Sequence, residues 1–205
     1  MRQEKRDARM QEIESVAYDL LVQHGYEGTT MLAVAKAAKA SNETMYRWYG
    51  DKNGLFDHMI RANAAEVQDA LTELTDRKAP PLEVLRRIAP VLLGMLLGDR
   101  AIALNRAAAS DPTGALGKAI AKGGRETVLP LLQKIMTDAV NAGTLVPPAD
   151  GNIASLFMHL LVGDQQLRRI IGTIAAPSSR AVEAQAQTAM AQFTALCGGA
   201  GSKAT

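Results

Sequence analysis

Between Asn42 and Lys52 the chain places an amide, a carboxylate, a hydroxyl, a phenol, a guanidinium, an indole and an ammonium: Asn42, Glu43, Thr44, Tyr46, Arg47, Trp48 and Lys52. Amides and guanidinium groups can form paired hydrogen bonds with purine edges, and a carboxylate can accept from a cytosine amino group. Hydroxyl and cationic groups can meet phosphate oxygens. The chemistry offered is readout of duplex DNA. Asn42, Glu43, Thr44 and Arg47 are the candidates for base contacts, with Glu43 either a specificity residue or a solvated bystander. No glycine-rich phosphate loop, Gly-x-Ser-x-Gly elbow, His-Glu-x-x-His or paired carboxylate site occurs, so the sequence points away from an enzyme.

These side chains need two short helices and a tight turn to hold them. Thr29 or Thr30 can cap the first, and Met31, Val34, Ala35 and Ala38 recur at helical spacing while Lys36 stays wet. Ser41 offers a second N-cap for a helix from Asn42 to Tyr49, with Met45 and Trp48 or Tyr49 facing inward. So short a helix is unstable alone and must be presented by neighbours, as a recognition helix is presented to the major groove.

The run Val34-Ala35, Ser41, Thr44-Met45-Tyr46, Tyr49, Asp51-Lys52 and Leu55-Phe56, preceded by Ile13 to His24 and Gly25-Tyr26-Glu27-Gly28, resembles the DNA-binding domain of TetR-family transcriptional regulators across residues 8 to 60. The resemblance implies that Thr30, Tyr46 and Lys52 hold phosphates and set register. Lys39, Ser41 and Trp48 complete the expected DNA-binding set. Three departures stand out. Lys39 occupies a turn that often carries glycine, which places a side chain in an uncommon backbone conformation. Tyr49 replaces the usual phenylalanine, and Glu43 replaces a small residue.

The 205 residues suffice for one large or two modest domains, and a 47% hydrophobic content supplies a core. Six of the eight aromatic residues precede residue 57, and the Ala, Leu, Met and Ile-rich remainder favours helices. The expected fold is all-α: a three-helix helix-turn-helix domain over residues 1–56, a larger helical effector-binding and dimerisation domain over 57–197, and a flexible tail over 198–205. Net charge is only +2, and residues 1–61 balance nine basic against nine acidic side chains. Local cations remain: Arg2, Lys5, Arg6 and Arg9 near the start, and Lys36, Lys39, Arg47 and Lys52 around the turn. A few such cations can drive counterion release. The lone Cys197 fits a reducing compartment, no N-terminal signal or membrane span is evident, and a cytoplasmic protein is expected.

Past the motif, a helix from Lys52 to Thr75 should precede one from Leu82 to Leu97, kinked or broken at Pro90. Asp99 to Ala109 follows, and a segment from Asp111 to Asn141 should divide at Gly123-Gly124 and Pro130. Asp150 is the expected cap of the next helix. The last two helices, Asn152 to Ile171 and Ser178 to Leu196, carry more apolar face than one small core needs. In TetR-like proteins the final two helices pair with their mates, so a homodimer through them is expected, reading two half-sites of a double-stranded operator. The middle helices should enclose a small-molecule effector of unknown identity. Its candidate contacts are Met95, Leu96, Ile102, Asn105, Arg106, Met136, Phe157, Met158 and His159, a largely apolar set with a few polar groups. Arg106 suits an anionic effector or an ordinary surface place, and His159 suits the core or a dimer interface as well as a ligand. His24 is expected at a helix end and His58 on an exposed face. The three histidines show no metal-binding spacing, and neither metal nor cofactor is implied. The function expected is a ligand-released repressor. The alternative is a helical ligand-binding or scaffolding dimer that no longer reads DNA.

Overall fold

The computed structural model describes residues 2–149 and 151–199, and every regular element among them is helical. The helices are α1 Arg2–Gly28, α2 Met31–Ala37, α3 Asn42–Tyr49, α4 Lys52–Asp76, α5 Pro81–Leu97, α6 Asp99–Ser110, α7 Ala115–Ile120, α8 Glu126–Asn141, α9 Ile153–Val162, α10 Gln165–Ile170 and α11 Ser179–Cys197. A wide turn, Ala121–Arg125, leads from α7 into α8. They gather into two compact units: residues up to Asn63 with Arg100–Gly123, and Ala64–Asp99 with residues from Gly124 onward.

The first unit builds its core from one face of each helix. Ile13, Ala17 and Leu21 of α1 meet Val34 and Ala35 of α2, Met45 and Tyr49 of α3, and Leu55, Phe56 and Met59 of α4. Leu104 and Leu116, from α6 and α7, close the same cluster. Each of the larger aliphatic side chains among them contributes about 1.5–3 kcal/mol by leaving water, which holds helices too short to stand alone. Gly123 sits where an added Cβ would lie 2.8 Å from Ile60 Cγ2, so glycine permits the wide turn to lie close to α4.

The second unit packs α5, α8, α9 and α11 around Leu85, Ile88, Leu93, Leu132, Met136, Phe157, Leu161, Ala189 and Phe193. Phe157 and Phe193 meet edge to face, with centroids 5.4 Å apart. Buried Arg169 of α10 donates to Leu97 O at 3.1 Å and to Asp99 Oδ1 at 2.6 Å, satisfying the end of α5.

Several boundaries differ from the sequence expectation. α5 runs unbroken through Pro90 and α8 through Pro130. The carbonyls four residues earlier belong to Arg86 and Glu126, both exposed, where water can take the place of the lost amide partner. The division expected at Gly123-Gly124 is present, as the wide turn Ala121–Arg125 that separates α7 from α8. The expected helix from Asn152 to Ile171 divides at Gly163, whose φ of 52° ends α9 before α10 begins. Asn152 caps α9 by accepting from Ser155 N at 3.0 Å, whereas the expected cap, Asp150, lies outside the described residues. His58 is half-buried and not exposed: its Nδ1 lies 2.6 Å from buried Glu14 Oε1, out of line for a hydrogen bond.

Candidate nucleic-acid interface

The two short helices of the first unit start where the hydroxyls stand. Thr30 Oγ1 accepts from Ala33 N at 3.1 Å, and Ser41 Oγ accepts from Thr44 N at 3.0 Å. Each side chain therefore satisfies an amide that the first helical turn leaves open. Between them Lys39 adopts φ 51°. Its N–H donates to Lys36 O at 3.3 Å and that of Ala40 to Ala35 O at 2.9 Å, the paired bonds of a left-handed helix stop. The uncommon conformation expected at Lys39 is present.

A second constraint fixes the far end of α3. Gly50, at φ 78°, closes the helix on Tyr46 O, and α4 starts two residues later. Gly54 then approaches so closely that a Cβ on it would lie 1.9 Å from Tyr49 O. Nothing in the run Asp51-Lys52-Asn53-Gly54 announces that approach, because an isolated glycine near a helix start has many uses.

With Met45 and Tyr49 buried, α3 turns Asn42, Glu43, Tyr46 and Arg47 outward, and Thr44 and Trp48 are half-buried. Glu43 and Arg47 stand one turn apart, Oε1 to Nη1 3.7 Å, on side chains 85% and 62% exposed. Such a pair is weak, about 0.3–0.5 kcal/mol, and releases its guanidinium readily. Arg6 lies over the Trp48 ring, 5.7 Å from its centroid. Exposed Thr30, Lys39 and Ser41 lie at the starts and the turn of the pair. Ser41 also donates to Thr44 Oγ1 at 2.9 Å, so its hydroxyl is engaged within α3.

Lys52 is held differently from Arg47. Its Nζ donates to Tyr26 O at 2.5 Å and lies 3.9 Å from the Tyr26 ring centroid. Partial burial lowers its pKa, opposed by the Glu27 and Asp111 carboxylates. Burial likewise raises the pKa of Tyr26, with Asp111 and Glu27 adding to it. The ammonium retains two further donors after meeting Tyr26 O. Arg9, one of the cations near the start of the chain, makes a contact that its position in the sequence does not announce: 29 residues before Ala38, it donates Nη2 to Ala38 O at 2.6 Å and Lys39 O at 3.1 Å.

The candidate effector contacts fall in both units. Asn105 and Arg106 are on α6 in the first, where Asn105 Nδ2 bonds back to Ala101 O at 2.8 Å and Arg106 is exposed. In the second, Met136 and Phe157 are fully buried, Met95 and Met158 pack partly buried against that core, and His159 is exposed. A groove of 720 Å³ opens elsewhere on the second unit, lined by Arg86, Glu183, Gln187, Met190 and Thr194 among others. Among the described residues no three His, Cys, Asp or Glu side chains gather to hold a metal, and no single helix is long and apolar enough to cross a membrane.

Residues 13–59 match the pattern of the bacterial regulatory proteins of the tetR family. Residues 83–198 match that of the AefR-like transcriptional repressor C-terminal domain. The uncharacterized HTH-type transcriptional regulator YdeS of Bacillus subtilis is 36% identical over 72 residues, which span 30% of this chain and 36% of that protein. A TetR transcriptional regulator from Agrobacterium tumefaciens shares the fold at a TM-score of 0.70 and 27% identity, over 95% of this chain and 97% of its own. The transcriptional regulator FadR of Bacillus subtilis, solved with stearoyl-CoA, aligns at a TM-score of 0.66 and 15% identity, over 89% of this chain and 96% of its own.

Proposed function

The chain belongs to the TetR family of bacterial regulatory proteins, DNA-binding transcriptional regulators and not enzymes, and on that premise we propose that it is a dimeric repressor released from its operator by a small molecule. The observation that carries this reading is α3: capped at Ser41, anchored by Met45 and Tyr49, and presenting Asn42, Glu43 and Arg47 to solvent. Asn42, Glu43, Thr44 and Arg47 are proposed to read base edges. Thr30, Tyr46 and Lys52 are proposed to fix register on phosphates, with Lys39, Ser41 and Trp48 at the rim. Acting on chromosomal DNA, the protein would work in the cytoplasm.

One recognition helix covers few base pairs, so two copies must act together on half-sites about one helical turn apart or a multiple of it. Leu167 and Ile171, around α10, and Leu196 of α11 stand 60%, 61% and 65% exposed, apolar side chains on the last helices that suit pairing with a second copy. The effector is proposed to be a small molecule with an apolar body, bound within the second unit among the helices that carry Met95, Met136, Phe157, Met158 and His159. FadR's stearoyl-CoA gives a first class of compound to try. Helix α4 begins at Lys52 and continues to Asp76, so a ligand that shifts its later turns also moves its first. A coupling of about 1–3 kcal/mol would suffice to lower operator occupancy.

The test is to select a duplex from a random library with the purified protein, then titrate it at several salt concentrations with and without acyl-CoA. Specific binding with a steep salt slope, in a complex of two protomers, is expected. Arg47→Ala should weaken the selected duplex more than a random one, by about 1–3 kcal/mol. Lys52→Ala should weaken both alike and flatten the slope by about one unit. Failure to select any duplex at low salt would leave the scaffolding-dimer reading in its place.

A further inference from the structure

We propose that Arg9 is a positioning residue for DNA reading: its guanidinium clamps the turn between α2 and α3 and replaces the glycine that such a turn ordinarily uses. The inference rests on the regulator reading for its consequence but not for its geometry. Lys39 holds φ 51° at the residue after the cap of α2, a position where a Cβ crowds the following carbonyl and glycine is preferred. Left to itself, this turn samples other conformations more often than a glycine turn would.

Arg9 opposes that tendency from outside the turn. Its Nη2 donates to Ala38 O at 2.6 Å and to Lys39 O at 3.1 Å, the two carbonyls that flank the strained residue. Its Nη1 meets Glu12 Oε2 at 2.5 Å, which fixes the guanidinium on α1. Both bonds come from a guanidinium and are charge-assisted, and the one to Ala38 O is partly shielded from water while the one to Lys39 O is exposed. Ala38 and Lys39 lie three and two residues before Ser41, whose hydroxyl starts α3. Holding these carbonyls therefore fixes where Ser41 stands and which way Asn42 to Arg47 face. Arg9 acts on the groove through the turn, with its donors already directed at backbone oxygens.

The test compares Arg9→Ala, Lys39→Gly and the double variant, using the duplex selected by the wild-type protein and a random-sequence duplex. Arg9→Ala should lose about tenfold in affinity for the selected duplex, about the effect of one charge-assisted hydrogen bond, with an unchanged salt slope. In the Lys39→Gly background the same change should cost less than about twofold, because glycine no longer needs the clamp. Amide hydrogen exchange at Ala40, read without DNA, should quicken in Arg9→Ala and recover in the double variant. If Arg9→Ala proves unfolded, Arg9→Lys keeps the charge with a single nitrogen and should show a smaller loss of the same pattern. A salt slope reduced by about 0.9 would make Arg9 a phosphate contact and overturn the proposal. Equal losses in both backgrounds, or unchanged exchange at Ala40, would overturn it too. If the wild type selects no duplex, the regulator reading fails while the exchange measurement still decides the clamp.

Discussion

Replacing Tyr49 by phenylalanine should stabilise the head. The ring is buried at 7% exposure against the edge of His58, centroids 5.5 Å apart, and its hydroxyl has less than 1 Å² exposed with no hydrogen-bond partner among the described residues. Burial, assisted by the Glu14 carboxylate, raises its pKa, so it remains a neutral phenol in any working buffer. A neutral hydroxyl taken out of water without a partner costs about 1–3 kcal/mol. Deleting the oxygen leaves a gap of atomic size, which at the usual cavity coefficient costs on the order of 0.3 kcal/mol. The net expectation is a gain of about 1–2 kcal/mol, or roughly 4–16 °C in the melting temperature of the first unit. Trp48, the single tryptophan, adjoins Tyr49 in α3, so its fluorescence follows the head while circular dichroism follows all helices. That separation matters because a chain of two units need not unfold in one step. A loss of about 1 kcal/mol or more on the fluorescence transition would show that the hydroxyl is bonded in solution and refute the reasoning.

Gly54→Ala should lower the fluorescence transition by about 2–3 kcal/mol, because its Cβ would lie 1.9 Å from Tyr49 O and either α3 or α4 must move. A change within about 0.5 kcal/mol would mean the helices are not so closely opposed. Asp111 accepts from Leu116 N and Thr113 N at 2.9 Å each and from the Thr113 hydroxyl at 2.7 Å, and these bonds, that from Leu116 foremost, lower its pKa. A depressed folded-state value stabilises above the unfolded value near 3.9 and is lost as pH falls through the folded one. Asp111→Asn should therefore melt lower than wild type at pH 6, with the gap narrowing below about pH 4. A constant gap from pH 6 to pH 3 would remove the carboxylate charge from the account.

What the sequence disclosed was local. Thr30 and Ser41 cap because a hydroxyl before an apolar periodic run has one good use, and Met45 and Tyr49 bury because four residues return a helix to the same face. Lys39 stands out only through the resemblance, because the turn it occupies often carries glycine in that family. Hidden from that reading was whatever depends on a partner distant in the chain. Arg9 meets carbonyls 29 and 30 residues away, Arg169 meets Leu97 72 residues away, and residues 100–123 join the first unit because Leu104 and Leu116 complete its core. Pro130 misled for the opposite reason. Proline forbids one hydrogen bond, and an exposed turn can replace it with water.

Four of the cations that DNA would attract already have partners in the free protein, and those partners set how easily each is released. Arg47 stands 3.7 Å from Glu43 at an exposed site, an attraction that phosphate or a guanine edge can outbid at small cost. Arg6 lies over Trp48 at 5.7 Å, a face contact that constrains direction little. Lys52 combines a short bond to Tyr26 O with a ring face and partial burial, so it meets a phosphate by adding an acceptor to its remaining donors. Arg9 is bound to two carbonyls and a carboxylate and is the least available of the four. On the proposed reading, balanced formal charge over residues 1–61 does not forbid discrimination, because Arg47 is held only by an exposed ion pair whereas Lys52 and Arg9 are held by backbone carbonyls. That ordering fits the proposed division of roles, with sequence reading on Arg47, register on Lys52 and the shape of the reading surface on Arg9.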